Sequence, residues 1–90
     1  MKFKNKKLQR FWLKGIKKGI NNKIVDKLLY LLFQLNYAES SEDMNIVGYD
    51  LHALKGSRAG FYAVTVTANY RLTFKFVKKQ AVDVNLEDYH

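Results

Sequence analysis

Ninety residues, 48% of them hydrophobic, with sixteen Lys and Arg against eight Asp and Glu, describe one small domain with one core and a formal charge of +8 that attracts polyanions. The absence of cysteine excludes disulfides, thiolate catalysis and cysteine-ligated metals, and two histidines alone make a poor zinc site. The longest apolar run, within residues 24–35, is broken by Asp26, Lys27 and Gln34 and is too short to span a membrane; the lysine-rich start has no signal-peptide pattern behind it, so a soluble intracellular protein is expected.

Residues 1–25 carry nine basic side chains (Lys2, Lys4, Lys6, Lys7, Arg10, Lys14, Lys17, Lys18, Lys23) and no acidic one, while half the acids lie within residues 39–50. Such a field speeds encounter with RNA, DNA or ribosomes, although lysines also simply solvate helix surfaces. Lys2 and Phe3 can make a short edge strand. From Asn5, an N-cap residue type, Leu8, Phe11, Trp12 and Ile16 fall at helical spacing, and Gly15 and Gly19 end that helix. Asn21 or Asn22 caps a second helix in which Ile24, Leu28, Leu31 and Leu35 form a stripe widened by Val25, Leu29 and Leu32. A helix this apolar is expected to bury most of its girth, lying across a sheet beside the first helix as an antiparallel hairpin.

Residues 38–48 read as a polar, acidic loop with room for one helical turn. Four alternating segments follow: residues 49–54, closed by Lys55-Gly56; residues 61–67; residues 70–76, after a hairpin at Thr67-Ala68-Asn69; and residues 81–86, after Lys78-Lys79-Gln80. The predicted class is therefore α+β, an antiparallel and mostly meandering sheet with two N-terminal helices on one face. Period two places Tyr62, Val64, Val66, Leu72, Phe74 and Phe76 against the helices and groups Val82, Val84 and Leu86 on one side. Phe61, Ala63, Thr65, Arg71, Thr73 and Lys75 then make an open, basic face, with Lys55 and Arg58 at one corner.

No phosphate loop, HExxH or serine triad is present, and Glu87 and Asp88, adjacent in a strand, point apart and cannot work as a carboxylate pair. Metal-free RNA cleavage needs a base for the 2′-hydroxyl, cations for the phosphate and an acid for the leaving oxygen. Arg71 can hold a phosphate bidentately, Lys55 can add charge, and His90 titrates near neutrality. Each also has a plain structural reading: His90 as a fraying terminus, His52 as a hydrogen-bonded strand residue, Arg71 as an ion-pair partner of Asp83 or Asp88, Lys55 as a turn lysine, and Tyr89 as a packing residue.

Leu51-His52-x-Leu54-Lys55-Gly56, Gly60-Phe61, Asn69-Tyr70-Arg71-Leu72-Thr73-Phe74-x-Phe76 and Asp88-Tyr89-His90, in this order, resemble the HigB toxins of the RelE superfamily. The resemblance implies a cytoplasmic bacterial toxin of a type II toxin–antitoxin system: a ribosome-dependent mRNA endonuclease that needs no metal or other cofactor and arrests translation. It also implies a RelE-like fold and a HigA-type helix-turn-helix antitoxin, with operator DNA bound only through the toxin–antitoxin complex. Matched by position, the catalytic residues fall on His90, Arg71, Lys55, Tyr89 and Asp88. His90 is the leading acid or base, Lys55 and Arg71 hold the phosphate, Tyr89 stacks on or orients a base, and Asp88 orients its neighbours. Arg58, Lys75, His52, Lys6, Lys7 and Arg10 are further candidate RNA contacts. The alternatives are a basic RNA- or ribosome-binding module of the same fold that does not cut, and an interaction protein whose charge serves an acidic partner.

Overall fold

The computed structural model of the chain describes residues 1–89; His90 lies outside the described residues. Helix α1 spans Lys6–Lys14 and starts where the Asn5 side chain accepts a hydrogen bond from the Leu8 N–H. It stops at Gly15, whose φ of 68° is the left-handed geometry that glycine adopts at helix ends. Asn21 caps a 3-10 turn at Asn22–Ile24 that runs straight into α2, Val25–Tyr37. A second 3-10 turn, Ser41–Met44, is closed by reciprocal hydrogen bonds between Ser40 and Asp43 and drives Met44 fully into the core. No helix among the described residues is long and apolar enough to cross a membrane.

Strands β1 (His52–Ala53), β2 (Tyr62–Thr67), β3 (Tyr70–Val77) and β4 (Gln80–Asp88) form an antiparallel meander in the order β1-β2-β3-β4, the α+β arrangement that periodicity predicts. The N-terminal segment joins the far edge as a short parallel strand: Phe3 bridges Val84, and the Lys4 N–H reaches the Val84 carbonyl at 2.9 Å. Regular pairing in β1 is shorter than the expected 49–54. Asp50 has a φ of 48°, which interrupts the ladder between the Tyr49 carbonyl, bonded to Thr65 N–H, and His52.

The core joins Leu8 and Phe11 of α1, Leu28, Leu31, Leu32 and Leu35 of α2, and Val64, Val66, Leu72, Phe74, Ala81 and Val84 of the sheet. Each such leucine, fully buried, contributes about 1.5–3 kcal/mol of transfer free energy. Two expectations need correction. Helix α2 does not bury most of its girth, because Leu29, Tyr30, Phe33 and Tyr37 form an exposed outer stripe; Trp12 of α1 meets Phe33 edge-on at 5.1 Å. Nor does Val82 share a face with Val84 and Leu86. Asp83, with a φ of 51°, is the extra residue of a β-bulge, so Val82 pairs with Lys75 on one face and Leu86 with Leu72 on the other.

The β3–β4 turn places Lys78 and Lys79 at φ 52° and 64°, left-handed at both positions as a type I′ turn requires. Lysine holds this conformation against the clash of its Cβ. Replacing Lys78-Lys79 by Asn-Gly is expected to raise the free energy of unfolding by roughly 1–2 kcal/mol in urea titrations, with the m-value unchanged.

Candidate functional site

Cross-strand partners share a face, so register defines what stands on the side of the sheet away from the helices. One rung runs His52, Ala63, Thr73, Asn85 and the next Thr65, Arg71, Glu87. Ala63 and Thr73 are buried and form a floor. The chain before β2 folds over this floor through a 3-10 turn at Gly56–Arg58, with Gly56 and Gly60 both at positive φ. That turn carries Arg58 across to β4. Lys4, Arg58, Phe61, Thr73, Asp83, Asn85 and Glu87 line the resulting cleft of about 340 Å³.

At its centre is one carboxylate shared by two guanidinium groups. Glu87 accepts from Arg71 Nε through Oε1 at 2.8 Å and from Arg58 Nη2 through Oε2. Tyr89, two residues further along and on the same face, lies under the Arg71 guanidinium with 5.0 Å between Cζ and the ring centroid. The Tyr89 N–H bonds the Asn69 carbonyl at 2.9 Å, tying the end of the chain to the β2–β3 turn. Lys75 pairs with Asp83 at 3.5 Å and sits over the Phe61 ring at 5.1 Å. Lys4 and Arg58 balance Asp83 and Glu87 in the cleft lining, and Arg71 and Lys75, paired with those same two carboxylates from beside the cleft, make the wider sheet face positive. Among the described residues no group of three or more His, Asp or Glu is placed to hold a metal ion.

Arg71, Tyr89, Arg58 and Lys75 are brought together as the sequence led us to expect, but other candidates are not. Arg71 pairs with neither Asp83 nor Asp88: the register sets Glu87 opposite it, while Asp88 is opposite Tyr70 and on the other face. Lys55 is exposed at the start of the turn that carries Arg58 and does not line the cleft. Lys6, Lys7 and Arg10 are exposed on α1, outside the cleft. The stem of Lys7 crosses Gly19 so closely that a Cβ there would lie 2.6 Å from its Cδ. His52 stands on the cleft-side rung with Nδ1 2.9 Å from the Asp50 carbonyl, which leaves the lone pair of the neutral ring on Nε2. Glu87, Asn85 and Asp83 were not anticipated as site residues; only the register shift at Asp83, which isolated alternation does not reveal, turns them to this face.

Burial pushes the Glu87 carboxyl up, but the hydrogen bonds and charges of Arg58 and Arg71 outweigh it and hold the group below the ordinary carboxylate range. A folded-state value below the unfolded one means stability that is present above the unfolded value and lost as pH falls through the folded one. Glu87→Gln is therefore expected to melt below wild type at neutral pH, with the gap closing as the buffer is acidified past the ordinary carboxylate range. A gap independent of pH would show that the carboxylate charge does not hold the arginines.

A family model described as RelE-like toxin of type II toxin–antitoxin system HigB matches residues 1–90. The chain is also 39% identical over 88 residues, 98% of its length and 96% of the relative's, to a protein of Proteus vulgaris named endoribonuclease HigB. With the meander, the helices and the arginine-lined face all in place, the chain belongs to the HigB-like family of RelE-like toxins from type II toxin–antitoxin systems.

Proposed function

We propose that this toxin is an endoribonuclease that cuts mRNA during translation on the ribosome, by attack of a 2′-hydroxyl on the adjacent phosphate. The observation that carries the reading is Arg71, held by Glu87 on one side and stacked by Tyr89 on the other, at the end of the sheet that leads into His90. Glu87 engages Arg71 through Nε, so the guanidinium is oriented before substrate arrives and its terminal N–H groups are the part offered to phosphate oxygens. The 2′-oxygen bonds phosphorus and the P–O5′ bond breaks, leaving a cyclic phosphate on one fragment and a 5′-hydroxyl on the other. One proton leaves the 2′-oxygen and one reaches the 5′-oxygen. His90 is proposed as the leading group in these transfers, with His52 Nε2 as the second imidazole. Arg71, Arg58 and Lys75 would counter the charge that builds on the phosphate, with Lys55 adding to it from the corner, and Tyr89 would stack on a base.

Asp88 would orient the end of the chain, and the exposed lysines Lys6 and Lys7 with Arg10 would strengthen the pull of ribosomal RNA. The antitoxin partner implied by the family is proposed to be of HigA type, with a helix-turn-helix domain, bringing operator DNA to the complex in the bacterial cytoplasm. An assay on translating ribosomes is the appropriate test, since the ribosome supplies substrate geometry that free RNA lacks.

Primer extension on messages under translation is expected to show discrete new ends within reading frames. Arg71→Ala should lower the yield by roughly 10²–10³-fold, as loss of a transition-state charge donor does, and His90→Ala should lose most of it while ribosome binding persists. Inhibition of translation by wild type with no new RNA ends would instead favour a binding module that does not cut. Ribosome association should also weaken steeply as salt is raised.

A further inference from the structure

The β3–β4 turn is left-handed at both central positions, Lys78 with φ 52° and Lys79 with φ 64°, where asparagine and glycine sit without the clash that a lysine Cβ meets. Strain kept where the core gains nothing from it points to a use outside the fold. Both lysines are exposed, as are Val77 and Gln80, which pair to close the turn, so the tip is a narrow projection only two strands wide. A third cation joins from the N-terminal segment. The Lys2 N–H donates to the Ala81 carbonyl at 2.9 Å and the Lys2 carbonyl accepts from the Val84 N–H at 3.0 Å, which seats exposed Lys2 on the outer edge of β4. Ala81 is two residues, or roughly 7 Å of strand, from Lys79.

None of these three lysines forms an ion pair among the described residues. The first acid met along either strand from the tip is Asp83, and Lys75 takes it at 3.5 Å. The cluster also stands apart from the cleft, whose lining includes none of the three.

We propose that the β3–β4 tip, with Lys2 beside it, docks on the phosphate backbone of ribosomal RNA, at a point separate from the cleft that takes the message. This rests on the ribosome reading above for its setting. A lysine meets phosphate as a point charge, without the fork that reads a base edge, so the contact is independent of sequence. A two-residue tip is also narrow enough to stand between the phosphate rows of an RNA groove. A protein partner would need apolar area beside the charge, and the tip offers only Val77, 47% exposed.

Relaxing the turn then has opposite effects on stability and binding. Lys78→Asn with Lys79→Gly removes the strain and the charges together, so the protein that melts higher should bind ribosomes less well. On vacant ribosomes its affinity should fall roughly tenfold in low salt, and the slope of log K against log salt should become shallower by about 2. Lys2→Gln should lose about threefold. Arginine at both turn positions keeps the charge and should bind as wild type does. Lys23→Gln with Lys27→Gln removes the same charge from exposed sites before and within α2, and should leave affinity near wild type. Equal losses in the two double variants would show that only total charge matters and overturn the site, as would full affinity in the Asn-Gly variant. Ribosome affinity kept while antitoxin binding is lost would give the tip to a protein and also overturn it. If wild type does not bind ribosomes, the ribosome reading fails by itself, and amide-shift mapping of wild type with an RNA duplex of about 16 base pairs in low salt decides the tip. Shifts at Lys2 and from Val77 to Ala81 support the phosphate contact; none there contradicts it.

Discussion

One extra residue in β4 decides what this protein shows to its surroundings. Counted back from the Lys78-Lys79 turn, an unbroken hairpin would set Leu86 opposite Arg71 and turn Asn85 and Glu87 toward the helices. The bulge at Asp83 moves the register by one, so that Leu86 meets Leu72 in the core and Glu87 meets Arg71 outside it. Aspartate tolerates the left-handed backbone better than most residues, and here its carboxylate also finds Lys75. Asn85, Glu87 and Tyr89 then alternate along the cleft side of the strand. The polar half of the site exists because the hairpin slips.

On the function proposed above, what that slip assembles would serve as a preorganised phosphate site. Arginines at a surface are mobile, and ordering them at the moment of reaction would consume binding energy. Here Glu87 uses both oxygens to hold two of them, and Tyr89 supports one from below. The carboxylate removes one unit of charge but fixes direction, a favourable exchange where the charge to be met is a single phosphate. Because the side chains of Arg71 and Glu87 are about three-quarters buried, their interaction is screened less than that of an exposed pair. The basic helix α1 contributes differently, as a long-range field on the opposite side of the sheet from the cleft.

Much of this was legible from the residues. The Asn5 cap, the leucines of α2 and the alternation through β2 and β3 were each unambiguous, since one hydrophobic period matched one element. The grouping of Tyr62, Val64, Val66, Leu72 and Phe74 followed, and with it Arg71, Thr73 and Lys75 on the other side. The run Ala81-Val82-Asp83-Val84 was misread because it holds apolar residues in both phases, and only pairing to β3 settles which phase each half obeys. The exposed stripe of α2, from Leu29 to Tyr37, was also illegible: apolar residues on the outer face look like core until the layers are counted. Arg58 was placed at a corner by its glycines, but its reach to Glu87 depends on a turn folding back over the sheet, which local sequence does not encode.

The central claim is that RNA sits on the bulged sheet face rather than along the lysine-rich helix. Amide chemical-shift mapping with a short RNA carrying a 2′-deoxy substitution at the site of cleavage tests it directly, since such a strand binds without being cut. The account predicts shifts concentrated at Thr65, Arg71, Thr73, Asn85, Glu87 and Tyr89. Shifts centred on Lys6, Lys7 and Arg10, with the sheet face undisturbed, would contradict it.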